Sequence, residues 1–427
     1  MSTPTVTERA SALLARIAEI DPGINAYVFI DRDVVLREAA RLDAIPPQER
    51  GPLHGVTLAV KDIIDVAGLP TRAGSSFFER HPTEDAPVVR LLRDAGALVI
   101  GKTNTHEFAW GVTTENPHFG RTANPWNPAR IVGGSSGGAG AAIAADLTEL
   151  ALGTDTLGSI RIPSALCGLT GIRPASGSGL LDGIVPLAPC LDTVGPMAHD
   201  VAMVATAYRV LYAMTPAPAK LRVCRLRGEG WDAVDACVRD ALDEVVAHAR
   251  TFAEPIVVSD VAWWNDELVA ATIRIQQADV VAANFHASLF AQHRNGYGDD
   301  VRERVANALA MPDDAATDAR ATIAQARETW RAALRDFDIA LAPIVASEAP
   351  LAPAPASFRQ RTIPLVTPAS AFGLPSLALP CGRGPSGMPL GMQAIALDGN
   401  AATAIAFGEA FQNATDWHER RAIFTSA

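Results

Sequence analysis

The chain has 427 residues, of which 48% are hydrophobic and 19% charged, with a formal net charge of −11. That length can bury a large core, as one big domain or two ordinary ones, and the composition is that of a globular protein. The acidic balance argues against direct binding of nucleic acid, which needs a basic face, and no apolar run is long enough to span a membrane.

In chain order, MSTPTVTERASALLARIAEIDPG reads as a polar lead into an amphipathic helix rather than a signal peptide, which predicts a cytoplasmic protein. GVTLAVKDIID follows as an apolar run. DAPVVRLLRDAG is a predicted helix, with Asp85 as N-cap, Pro87 in its first turn and Gly96 as the left-handed residue after its end. ALVIGKTN, GGAGAAIAAD and TELALGTD continue an alternation of short apolar runs and helix signals. The alternation predicts an α/β layered fold with a mixed sheet.

Residues 201–336 read as more helical. In AVDACVRDALDEVVAHAR, Val234, Cys237, Val238, Ala241, Leu242 and Val245 recur at helical spacing. ETWRAALRDF is a further helix before the run IALAPI, and residues 346–357 are a predicted surface loop. PSLALPCG and GMPLGMQAIA look like returning strands, and EAFQNATDW like a closing helix. No stretch reads as a linker, so one domain is expected over 1–427. It has a core at about 50–200, a variable helical segment at about 201–336 and a return to the sheet at about 337–427.

The five cysteines, Cys167, Cys190, Cys224, Cys237 and Cys381, are odd in number and widely spaced, without a C-x-x-C. They make neither a disulfide framework nor a zinc site and are expected to be small buried residues. No metal and no cofactor is expected.

GALVIGKT, residues 96–103, satisfies the letters of a P-loop. A working P-loop needs a strand, then a glycine loop, then a helix. Here the order is helix end, then buried strand, so the pattern carries no nucleotide site.

Among 36 basic residues only three are lysines: Lys61, Lys102 and Lys220. Arginine does not give up its proton at useful pH, whereas a buried lysine can have its pKa lowered far enough to act as a base. Lys61 in VTLAVKDIID and Lys102 after ALVIG are the candidates, and Lys220 sits beside a Pro/Ala turn. The serines supply the other half. In IVGGSSGGAG two pairs of glycines flank two serines ahead of an alanine-rich helix, and GTDTLGSIRIPS forms a second glycine-bearing turn whose N–H groups could hold an oxyanion. Gly134 to Gly138 also fits a G-x-S-x-G elbow. That reading needs a preceding strand and a downstream histidine, for which only His199, His248 and His286 can be nominated.

The segment GGSSGGAGAAIAADLTELALGTDTLGSIRIPS, 133–164, resembles the signature of the amidase signature family, with VKD around Lys61 upstream. LHGVTLAVKDIIDVAGLPTRAGS, TTENPHFG, GLTGIRPASG, LPSLALPCG and GMPLGMQAIA fit in order, over most of 20–200 and 325–410. The resemblance implies a large mixed, twisted β-sheet covered by helices on both faces. It implies a Ser–Ser–Lys hydrolase in which Ser159 attacks the amide carbonyl and forms an acyl-enzyme. Ser135, preceded by a cis peptide bond, bridges Ser159 to a neutral Lys61, and backbone N–H groups of Thr156, Leu157, Gly158 and Ser159 hold the oxyanion. Lys102 is assigned to the scaffold.

Gly133, Gly134 and Leu157 are candidate substrate contacts; for Arg161 the resemblance favours an internal ion pair with Asp155 that shapes the loop, with a grip on a substrate carboxylate as the alternative. Arg274, Gln276, Gln277 and His286 are further candidates in the middle segment. One departure stands out: Leu157 occupies a turn position where most relatives have glycine, which implies a tighter, more apolar acyl pocket.

TTENPHFG and TANPWNPARIVGGSSGG look like the branch that holds the A-type chains of tRNA-dependent amidotransferases and the 1-carboxybiuret hydrolases. The expected activity is hydrolysis of a small polar linear amide or ureide, 1-carboxybiuret-like or malonamate-like, with release of ammonia. The alternatives are the glutaminase component of a tRNA-dependent amidotransferase complex and a scaffold whose chemistry is altered. Implied partners are a small amide substrate, a second copy in a homodimer, and a small accessory subunit.

Overall fold

A computed structural model describes residues 4–227, 231, 233–253, 257–260, 265–282, 285–312 and 314–424. Eleven strands form one mixed sheet. From one edge to the other they are Tyr27–Phe29, Leu98–Thr103, Thr57–Lys61, Leu150–Thr154, Val194–Ala198, Thr170–Arg173, Ser376–Arg383, Pro389–Ala396, Ile339–Pro343, Val223–Arg227 and Val257–Asp260. Pairing is parallel among 57–61, 98–103 and 150–154, antiparallel through the centre, and parallel again between 223–227 and its two neighbours. The expected large mixed sheet is therefore present. So is the P-loop exclusion: Pro87–Asp94 is a helix and Leu98–Thr103 a strand.

Successive strand residues point to opposite faces, and the two faces bury different things. Leu58, Val60, Leu150 and Leu152 join a core with Val88, Leu92, Val204 and Phe407 from the helices Pro87–Asp94, Val201–Leu211 and Ala401–Ala414. Ala59 and Ala151 face the other way, onto Ala139 and Ala142 of Gly137–Ala144, with Leu14 and Ile17 of Val6–Ile24 behind. Small residues on that side let the helix lie close. At Gly138 a Cβ would come within 2.4 Å of the Asn104 carbonyl oxygen, so only glycine fits.

Local signals account for most element ends. The first helix begins with a capping box, Thr5 and Glu8 satisfying each other's backbone N–H. Asp85 is a correction: Ala86 holds the N-cap position, while Asp85 accepts from the Ala67 N–H at 2.8 Å and pairs with Arg93 at 3.2 Å. Helix Ala356–Ala371, to which the sequence reading assigned no element beyond a loop ending at 357, carries Pro364 and Pro368 inside it. Interior prolines remove helical hydrogen bonds and read as breakers. Here burial of Phe358, Ile363, Leu365 and Val366 outweighs that cost. Cys167, Cys224 and Cys381 are buried as expected, but Cys190 is exposed. No described helix is long and apolar enough to cross a membrane.

Lys102 is part of the scaffold. Fully buried, its Nζ lies 3.1 Å from Asp62 Oδ1 and donates to Thr71 Oγ1 at 2.9 Å and to the Pro70 carbonyl at 3.2 Å. Removing one member of a buried pair leaves the other charge uncompensated. Lys102→Met is expected to cost about 3 kcal/mol in equilibrium urea unfolding, and the double variant with Asp62→Leu clearly less. A double-variant loss equal to the sum of the losses in Lys102→Met and Asp62→Leu measured singly would mean that the pair is not coupled.

Candidate active site

Three loops converge at the carboxyl ends of adjacent parallel strands. Lys61 closes the strand Thr57–Lys61, and Val60 pairs with Leu152 of the neighbouring strand, so Lys61 emerges beside Thr154. Ser135 lies in the turn before helix Gly137–Ala144, after a cis Gly134–Ser135 peptide bond. Ser159 lies between the strand Leu150–Thr154 and helix Arg161–Cys167. The Ser136 N–H donates to the Ser159 carbonyl at 3.2 Å and ties the two serine loops together.

Lys61 is fully buried, and its Nζ donates to Ser135 Oγ at 2.8 Å and to Thr154 Oγ1 at 2.7 Å. Burial drives its pKa down to about 7, against the opposing pull of the Asp192 and Asp155 carboxylates. Sequence reasoning supplied the apolar neighbours but not Thr154 or Asp192. Nothing about an isolated threonine or aspartate so far along the chain announces such a contact. The Ser135 hydroxyl thus touches the amine, but no hydrogen bond joins it to Ser159, whose hydroxyl has no partner among the described residues. Catalytic hydrogen bonds of this kind commonly tighten only when substrate is seated.

The turn that carries Ser159 is built around the Asp155 carboxylate. Its Oδ1 accepts from the Gly158 N–H at 2.8 Å and Arg161 Nη2 at 3.1 Å, and Oδ2 accepts from Arg161 Nε at 3.0 Å and the Ile160 N–H at 3.3 Å. Arg173 Nη1 adds a second buried ion pair at 3.2 Å. Burial would raise the Asp155 pKa, but the two guanidiniums outweigh it and hold the carboxyl well below the usual range. Gly158 takes φ +93°, a left-handed conformation that a side chain disfavours.

These bonds sort the candidate oxyanion donors. The Gly158 N–H is already engaged by Asp155, whereas those of Thr156, Leu157 and Ser159 have no partner among the described residues. The Thr156 hydroxyl donates to Asp192 Oδ1 at 2.5 Å. Burial raises the Asp192 pKa, countered by that hydroxyl and by the N–H groups of Leu187 and Ala188.

Ser159 opens into a small cavity walled by Trp110, Val112, Leu157, Leu187 and Ile363, with Gln276 and Arg359 as its polar side chains beside Ser159 and Thr156. Leu157 faces this cavity, as the departure from glycine led one to expect. Gly133 and Gly134 do not line it; both are buried behind the serine turn, packed against Pro163 and Thr113–Thr114. Arg161 is corrected as a substrate contact. It is fully buried, and besides Asp155 its guanidinium donates to Gln393 Oε1 at 2.7 Å, Ser370 Oγ at 2.8 Å and the Val366 carbonyl at 3.1 Å. No donor is left to reach a ligand.

Among the middle-segment candidates only Gln276 lines the cavity. Arg274 is exposed and Gln277 half-buried. His286 is buried, with Nδ1 3.1 Å from the Tyr297 hydroxyl, and burial lowers its pKa to about 4. His199 pairs with Asp146, and no described histidine bonds to Ser135 or Ser159. Ser136, the serine a hydrolase elbow would use, donates its hydroxyl to the Thr154 carbonyl.

The fold and this constellation define an enzyme of carbon–nitrogen bond chemistry. The sequence model of the family described as Amidase matches residues 8–403, and the chain belongs to that family, the amidase signature proteins. It is 32% identical over 467 residues to the A-type chain of the glutamyl-tRNA(Gln) amidotransferase of Roseiflexus sp. strain RS-1, covering 97% of this chain and 94% of the relative. A crystal structure of an amidase superposes with a TM-score of 0.88 at 31% identity, covering 96% of each chain. A chain from a vestigial protein complex, described as revealing the evolutionary origins of an s-triazine catabolic enzyme, also gives 0.88, at 29% identity and 99% and 97% coverage.

The neutral amine of Lys61 is the form able to accept a proton, and its fraction rises as pH increases through about 7. The acylation rate, kcat/KM for ammonia release, is therefore expected to climb about tenfold per pH unit below 7 and to level off above it. A profile flat from pH 5 to 9 would remove Lys61 from the proton-transfer step.

Proposed function

We propose that the chain hydrolyses the carboxamide of a small substrate through an acyl-enzyme on Ser159, releasing ammonia. The observation that carries this reading is the fully buried Lys61, held at 2.8 Å from the Ser135 hydroxyl with a pKa near 7. In the first step the Ser159 oxygen bonds to the carbonyl carbon while its proton passes through Ser135 to Lys61. The carbonyl electron pair moves onto oxygen, facing the N–H groups of Thr156, Leu157 and Ser159. Gly158 supports that donor set by holding the turn. Collapse breaks the C–N bond, the proton returns by way of Ser135 to the departing nitrogen, and water then cleaves the ester in the mirror sequence.

The reading with glutamine as the amide, a glutaminase component of a tRNA-dependent amidotransferase, is supported by curated relatives named as A-type chains of glutamyl-tRNA(Gln) amidotransferases. On that reading an accessory subunit completes the enzyme and receives the ammonia. A second reading, a stand-alone hydrolase of a small ureide or malonamate-like amide working as a homodimer, rests on Leu157 narrowing the cavity wall and on the likeness to the s-triazine-related complex.

Ammonia release across glutamine, malonamate, biuret, 1-carboxybiuret, allophanate and simple aliphatic amides tests the reaction and separates the readings. Ser159→Ala is expected to lower turnover of the accepted class by at least about 10⁴-fold. Turnover by the purified chain alone supports the stand-alone enzyme, and turnover only with a co-purifying subunit supports the amidotransferase. Activity that survives Ser159→Ala would overturn the acyl-enzyme.

Leu157 provides a separate measure of specificity. Leu157→Ala is expected to shift kcat/KM towards longer amides by at least about tenfold, the lower end of what one methylene group is worth in an apolar pocket. An unchanged substrate order in steady-state kinetics would mean that Leu157 braces the loop without touching the substrate.

A further inference from the structure

Arg359 is the one side chain lining the Ser159 cavity that carries a formal charge. Its helix, Ala356–Ala371, lies outside the signature segment that supplies Lys61, Ser135 and Ser159. Its Nε is buried without an acceptor, and its guanidinium makes no ion pair among the described residues. The acid whose charge it feels, Asp300, is already engaged by His106 at 3.0 Å and Arg304 at 3.1 Å. Arg304 itself also donates to the Trp110 carbonyl. Burial and the neighbouring Arg304 lower the Arg359 pKa to about 10, which leaves it cationic at neutral pH.

A desolvated cation is normally paired or hydrogen-bonded, because leaving it alone is costly. Arg161 and Arg173, the fully buried arginines of this loop, are both paired with Asp155, whereas Arg359 is half-buried. A guanidinium that lines the cavity of Ser159 without an ion-pair partner among the described residues matches the planar geometry of a carboxylate, which it can grip through two parallel N–H groups. We propose that Arg359 is a specificity residue for the carboxylate of an ω-amido acid, so that the accepted substrate is a small anion with its carboxamide at Ser159 and its carboxylate at Arg359. Gln276, whose side chain lines the same wall, is placed to meet the polar atoms between these ends. The inference rests on the amidase reading above and narrows it: neutral aliphatic amides become poor substrates.

The test compares malonamate and succinamate with propionamide and butyramide, neutral amides of matched length. In the wild-type protein kcat/KM is expected to favour the acidic amides by on the order of 100-fold, the strength of a charge-assisted pair. Arg359→Met should reduce that preference to within about threefold, mainly through KM. Arg359→Lys, which keeps the charge but not the fork, should retain part of it. An equal loss on acidic and neutral amides in the Met variant, or a wild-type preference for the neutral ones, overturns the proposal.

If none of these four amides is turned over, the carboxylate site is judged by isothermal titration with succinate, independently of the hydrolase reading. Binding by wild type that is lost in Arg359→Met supports the site. Absence of binding to the wild-type protein overturns it.

Discussion

Everything at the catalytic end of the sheet depends on one buried carboxylate. Asp155 is shared by two buried guanidiniums, Arg161 and Arg173, and by the N–H groups of Gly158 and Ile160. A lone ion in that interior would be prohibitive, but two cations and a ring of donors make its charged form the stable one. The consequence is geometric. The turn from Thr156 to Ser159 cannot rotate without breaking several charge-assisted bonds at once, so Ser159 and the unpartnered N–H groups around it stay fixed with respect to Lys61. Arg161 extends the brace to the other half of the chain through Gln393 and Ser370.

The same dry interior that makes Asp155 need its partners is what lowers the Lys61 pKa. Desolvation disfavours an ammonium, and the carboxylates of Asp155 and Asp192 moderate the fall so that it stops near 7. Two opposing effects of burial are thus used in one small region: one keeps a charge by surrounding it, the other removes a charge by isolating it. Burial lowers the Lys102 pKa as well, but there a carboxylate in direct contact opposes the fall. That carboxylate is Asp62, and the two form a scaffold ion pair.

The sequence was readable wherever chemistry is local. The glycine-flanked serines, the scarcity of lysine and the order of family blocks announce Lys61, Ser135 and Ser159 and the mixed sheet that aligns them. What escaped depends on tertiary contact. Thr154 and Asp192 look like any other polar residues until the strands pair. Arg161 kept two roles open until Gln393 and Ser370, more than 200 positions away, were seen to occupy its donors. Helix Ala356–Ala371 was hidden by Pro364 and Pro368, whose local preference is overridden by burial against the sheet. Arg359 was hidden with it.

That pattern of success and failure reflects a division of labour. The residues proposed to carry the chemistry, Lys61, Ser135 and Ser159, come from a strand end and two short turns, where spacing along the chain encodes geometry. The cavity wall is assembled from elements far apart in sequence: Trp110 and Val112 from one loop, Gln276 from the helix Asp266–Ala282, and Arg359 and Ile363 from Ala356–Ala371. A change on these helices alters what is recognised without moving the strand ends, because the Asp155 brace fixes the nucleophile independently of the wall. Hence the proposed reaction is legible in the signature, whereas the cavity wall, Leu157 apart, is written largely in residues that the signature does not contain.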